Sequence, residues 1–200
     1  MLRFYKLIST LLHPIVIPTL GTLLFLSITP HVISIKKQYM LLAIVFVATY
    51  VIPLTALLVL KTIGVINSFK VTTIKEQKTL LFALLSVFYI LGSFFYSVPV
   101  FEELGLLFYG TTMAIVVVYF LFFINIKTSL HIVSISSIVG FFLIFGNLYS
   151  ISILPIIGVL IFLTGVLASA QLHLKAHTPL EIYFGFFVGV FCQFILFYLL

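Results

Sequence analysis

The feature that most constrains this chain is a recurrence of uninterrupted apolar runs, each near the length of a bilayer crossing and separated by short polar breaks. A hydrocarbon core about 30 Å thick is crossed by roughly 20 apolar residues in an α-helix. Inside it no water is present to satisfy the backbone, so such runs must fold as helices. They lie at about 7–28, 38–60, 79–98, 103–124, 131–149, 152–169 and 180–199. The expected fold is therefore all-α, a polytopic membrane helix bundle of about seven transmembrane helices forming one integral membrane domain over 1–200. A soluble surface is excluded, because 64% of the residues are hydrophobic, 7% are charged and the mean hydropathy is +1.40.

The first run follows Arg3 and Lys6 and superficially resembles a signal peptide, but it is too long, lacks a small-residue cleavage site and precedes further spans. A single cysteine, Cys192, excludes an intramolecular disulfide and argues against a cysteine-based metal site. The net charge of +6 comes from lysines in inter-helix loops without aromatic-basic interleaving, so membrane lipids or phosphate are the expected partners, not nucleic acid. Phe and Tyr are spread through the spans as lipid-facing bulk and interfacial anchors.

The polar residues are unevenly placed. Segments 61–78, 125–130 and 170–179 emerge on the same side as the N-terminus. Eight of the ten Lys and Arg lie there, against Lys36 and Lys37 opposite. By the positive-inside rule this face is cytoplasmic, in a multi-pass protein of the cell inner (plasma) membrane. His13, His131, His173 and His177 fall on or near the same face, leaving His31 opposite.

Three segments there carry candidate chemistry. In Thr178-Pro179-Leu180-Glu181 the threonine fits a helix N-cap, the proline the first helical position, and the glutamate the third, a capping box. His177 precedes that cap, where free amides and the helix dipole favour an anion. Glu181, four residues on, is spaced to orient the imidazole, a role that competes with capping for one carboxylate. In Lys127-Thr128-Ser129-Leu130-His131, Thr128 or Ser129 caps another helix and His131 follows in its first turn, suited to protonating a leaving oxygen. The basic loop ahead of the third span holds Lys70, Lys75 and Lys78, either a lipid-attracted face or a phosphate clamp.

With these residues in view, the chain resembles the type 2 phosphatidic acid phosphatase superfamily, membrane lipid-phosphate phosphatases with three separated motifs on one face. The family's last motif, Arg, five residues, His, three residues, Asp, is similar to Gln171, His177 and Glu181 at the same spacing. Its Ser-Gly-His resembles Ser129-Leu130-His131, and its Lys with Arg-Pro seven residues on resembles Lys70 with Gln77-Lys78. The resemblance covers roughly residues 61–189 and implies a six-helix phosphatase-like core plus one helix. It also implies that His177 attacks phosphorus to form a phosphohistidine, Glu181 orients it and His131 protonates the leaving group, with no metal or other cofactor. Lys70, Lys75, Lys78, Lys127, Ser129 and Gln171 would then bind the phosphate.

Both positions where the family places arginine carry glutamine, Gln77 and Gln171, and Arg3 is the only arginine in the chain. Glutamine is neutral and lacks the bidentate fork of a guanidinium. The sequence therefore supports two functions: hydrolysing or binding a phosphorylated lipid at a histidine-centred site, or serving as a catalytically silent subunit of a membrane complex. A transporter or haem protein is disfavoured, because the histidines fall in loops and helix starts. Gly185 with Gly189, and Gly165 with Ser169, are small-residue pairs able to serve helix packing, a homodimer or a membrane-complex partner.

Overall fold

A computed structural model describes residues 2–29, 33–62, 64, 74–124 and 126–200, with side chains described at all of these except 2, 56, 57, 60 and 74–80. Among the described residues every regular element is a helix: α1 (Leu2–Leu11), α2 (Ile17–Ile28), α3 (Ile35–Phe46), α4 (Ile52–Thr62), α5 (Ile74–Tyr96), α6 (Glu102–Phe123), α7 (Leu130–Leu148), α8 (Leu154–His173) and α9 (Pro179–Leu199). Five helical stretches are long and apolar enough to cross a membrane: Ile35–Thr55, Pro99–Phe123, Leu130–Leu148, Leu154–His173 and Pro179–Leu199. Ile17–Ile28 and Leu81–Tyr96 are shorter apolar helices.

The first apolar run, expected as one helix over 7–28, is divided. Pro14 has no N–H and would clash with the preceding turn, so α1 stops at Leu11 and the chain turns before α2 begins. α1 is amphipathic: Arg3 and Lys6 are exposed on it, and so are Phe4, Leu7 and Leu11 at helical spacing, while Ile8 is buried. That distribution suits a helix lying in the membrane interface. Tyr5 stacks on His173 of α8 with ring centroids 4.4 Å apart, which fixes α1 across the end of α8.

The second run contains a different irregularity. Pro53 cannot donate to the carbonyl four residues back, and the preceding turn, Val47–Val51, is a π-helix in which Ile52 N–H bonds Val47 C=O. The helix thus continues from α3 into α4 with one extra residue in the turn.

α7 is the central helix, with 72% of its spanning window buried. It packs against α9 so closely that a side chain on glycine would not fit. A Cβ on Gly189 would stand 2.6 Å from Val133 O, one on Gly140 2.9 Å from Val190 O, and one on Gly185 3.1 Å from Ser129 O. These contacts rise together along both helices, so α7 and α9 run parallel, with α9 beginning about a turn ahead of α7. Ser136 Oγ donates to Gly185 O across the seam at 3.2 Å. α6 joins the pair through Gln193, whose buried amide donates to Leu107 O at 3.0 Å and to Thr111 Oγ1 at 3.3 Å. Away from water this polar link has no competing partner.

The two small-residue pairs have different fates. Gly185 and Gly189 are used inside the chain, whereas nothing lies within 4 Å of a Cβ placed on Gly165. Gly189→Leu is therefore expected to destabilise the bundle by about 1–3 kcal/mol through overpacking. Gly165→Leu should leave thermal unfolding in detergent unchanged, and equal losses from the two substitutions would contradict this packing.

Candidate functional site

The site is built where α7 and α9 start side by side. α8 ends in a Schellman motif: Ala176 N–H bonds Gln171 O at 3.1 Å and Lys175 N–H bonds Leu172 O at 3.0 Å. Lys175 takes the left-handed position of that motif, at φ 51, where glycine is the usual residue. The chain then passes directly into the start of α9. Thr178 is the N-cap, its Oγ1 accepts from Glu181 N–H at 3.4 Å, and Glu181 Oε2 accepts from Thr178 N–H at 3.4 Å. This is the capping box expected from sequence.

The same carboxylate oxygen also accepts from His177 Nδ1 at 2.7 Å. The two roles expected to compete for Glu181 are thus compatible, because donors three and four residues back converge on one oxygen. A carboxylate only accepts, so the Nδ1 proton is fixed in that bond and Nε2 is left to face a ligand.

At the start of α7, Ser129 occupies the N-cap but its side chain makes no capping bond. Its N–H instead donates to Glu181 O at 3.3 Å, tying the first turn of α9 to the start of α7. Ser129 and Thr128 are both fully buried, and among the described residues neither hydroxyl has a partner. His131 Nε2, also buried, has none either. Buried polar atoms are nearly always bonded, and here the unpaired hydroxyls stand together at an uncapped helix start.

His131 is reached from two directions. His13, in the turn between α1 and α2, meets it edge to face with ring centroids 5.2 Å apart. His177 is near enough to act on it electrostatically, and the Ser9 backbone hydrogen-bonds it. Burial holds the His13 pKa below its usual value, so that ring is neutral at neutral pH. Its Nδ1 accepts from Ile15 N–H at 3.4 Å, leaving the proton on Nε2.

Lys127, Lys175, His177, Thr178 and Glu181 line an open cleft of about 460 Å³. Gln171 is placed otherwise: it is buried, and its side-chain amide donates to Ser9 Oγ at 3.1 Å, holding α1 against α8. His173 also lies with α1, its Nδ1 2.9 Å from Ser169 O. Lys70 lies outside the described residues, and Lys75 and Lys78 lie on the first turns of α5, where only the backbone is described. Among the described residues no group of three or more His, Cys, Asp or Glu is placed to hold a metal.

Ser9 was not legible as a site neighbour, being one hydroxyl in an apolar run. Thr128 was legible only as a cap, since burial of its hydroxyl depends on α9 closing over the turn. Lys175→Gly is expected to stabilise the protein by about 0.5–1 kcal/mol, by relieving the left-handed strain against the extra chain entropy of glycine. The same substitution should weaken phosphate binding by removing a charge from the cleft; calorimetric titration and unfolding on one sample separate the two effects.

No protein-family model, curated protein or solved structure matches this chain.

Proposed function

We propose that this protein binds the phosphate of a phosphorylated lipid at the paired starts of α7 and α9 and hydrolyses its ester through His177. The observation that carries the reading is the orphan set Thr128, Ser129 and His131 beside a histidine already oriented by a carboxylate. A phosphate presents several acceptor oxygens to two hydroxyls and the free amides of an uncapped helix, and the dipoles of two parallel helices favour its charge. Lys127 and Lys175 add positive charge at the cleft.

In this reading His177 Nε2 attacks phosphorus, the bond from phosphorus to the lipid oxygen breaks, and His131 delivers a proton to that oxygen. Water then cleaves the phosphohistidine, passing its proton to His131, and phosphate and the free His177 imidazole are released. Glu181 stabilises the imidazolium character that develops on His177. These roles match those implied by the resemblance to the type 2 phosphatidic acid phosphatases, and no residue in them requires a metal.

We further infer seven crossings, with α2 and α5 as the two shorter apolar spans. The site then opens on the lysine-rich, cytoplasmic face of the inner membrane.

A second reading, a catalytically silent subunit of a membrane complex that retains phosphate binding, is favoured by one observation. Gln171, at a position where the resemblance expects arginine, is buried and bonded to Ser9, so it presents no fork to a phosphate. Loss of one such donor is worth about 2.7–4 kcal/mol in the transition state.

Purified protein should release inorganic phosphate from prenyl or diacylglycerol phosphates, and His177→Ala should abolish release while phosphate still binds. Turnover that survives His177→Ala would exclude the mechanism. Binding without turnover in the wild type, together with co-purification in a larger assembly, would establish the silent reading.

A further inference from the structure

Beneath the site, α2, α7 and α8 enclose a lateral groove of about 470 Å³ whose lining is wholly apolar, including Ile17 and Leu24 of α2, Ile135 and Ile138 of α7, and Val159 and Leu163 of α8. Its volume falls within the range of ligand sites rather than of packing defects. Its upper end comes close to the polar site in the chain. His131, Ile135 and Ile138 follow at helical spacing, so one face of α7 carries the buried histidine at its start and the groove wall over the next roughly 10 Å. On the other side Leu12 lines the groove, and the next residue, His13, sets its ring against His131. The groove thus begins next in the chain to the histidine pair, and Lys127 and Lys175 line the separate polar cleft at the starts of α7 and α9.

We infer that this groove holds the hydrocarbon chain of a lipid monophosphate whose head group occupies the site at α7 and α9. The inference rests on the phosphate-binding reading and adds the chain's location to it. Charge complementarity selects the occupant: a cationic cleft at one end and an exclusively apolar channel below it fit an amphiphile with one anionic head and one long chain. A neutral lipid would leave the orphan hydroxyls and lysines unmatched, and a second copy of the chain would bring no anion to them. One wall of the groove is rigid, since α7 is locked against α9, while Leu20 and Val159 stand at its rim and are 39% and 57% exposed. The rim positions therefore accept a larger side chain without disturbing the core.

The test is binding of butyl, dodecyl and hexadecyl phosphate to protein in zwitterionic phosphatidylcholine nanodiscs, comparing wild type with Val159→Trp and, independently, Leu20→Trp. Partition of each alkyl phosphate into the disc is the same for every protein, so differences between proteins report the groove. Both substitutions should weaken hexadecyl phosphate about tenfold by displacing chain contacts, and leave butyl phosphate unchanged. Equal affinities of wild type and both variants for hexadecyl phosphate would overturn the inference and identify the groove as a surface for bulk lipid. A change in oligomeric state without a change in affinity would overturn it in favour of a second copy. If the wild type fails to bind even butyl phosphate, the head-group reading itself fails, and the chain site falls with it.

Discussion

The rest of this structure depends on the close parallel contact of α7 and α9. In a bilayer no hydrophobic gain accrues from pressing two apolar helices together, because lipid is as apolar as they are. What holds them is dispersion between backbones brought near by Gly140, Gly185 and Gly189, and hydrogen bonds across the seam from Ser136 and from the Ser129 amide. Parallel neighbours need a third helix to carry the chain back. α8 supplies that return, and its far end delivers Lys175 and His177 to the place where α9 begins. The proximity of His131 to His177 is thus a result of glycine placement along the seam, beginning at Gly185 beside Ser129 and Ile132 and continuing through Gly189 and Gly140.

A polar group in this environment is used more than once. Glu181 Oε2 serves the helix cap and the histidine together, the Glu181 carbonyl receives the Ser129 amide, and Gln171 uses its backbone oxygen for the Schellman turn and its amide for Ser9. Only four acidic residues and one arginine occur in the chain, so each connection has few substitutes. A change at one of these groups therefore acts on local structure and on ligand chemistry at the same time. The cap, in particular, survives loss of the histidine, whereas orientation of the histidine does not survive loss of the carboxylate.

How much of this was legible in the sequence follows from how local each signal is. The capping box at Thr178–Glu181 and the uninterrupted apolar runs of α6 to α9 are set by the local sequence, and both are present. The division of the first run turned on Pro14, a helix breaker by its missing N–H, yet the apolar flanks on both sides concealed that α1 is a separate amphipathic helix. The bond that ties the start of α7 to α9 was not legible, because the Ser129 amide finds its acceptor at Glu181, more than fifty residues away. Gln171 likewise sits at a motif position, but its partner is Ser9, at the other end of the chain. Spacing identifies which residues share a face; it does not say which of them are already engaged.

The parallel pairing of α7 and α9 also orders events during synthesis. α7 leaves the ribosome while its partner is still untranslated, so the Ser129 amide first meets the membrane without the Glu181 carbonyl that receives it. Water can satisfy the amide at that stage. The arrival of α9 brings the Glu181 carbonyl to that amide, so the start of α7 is tied to its partner only after α7 and α8 have both been made.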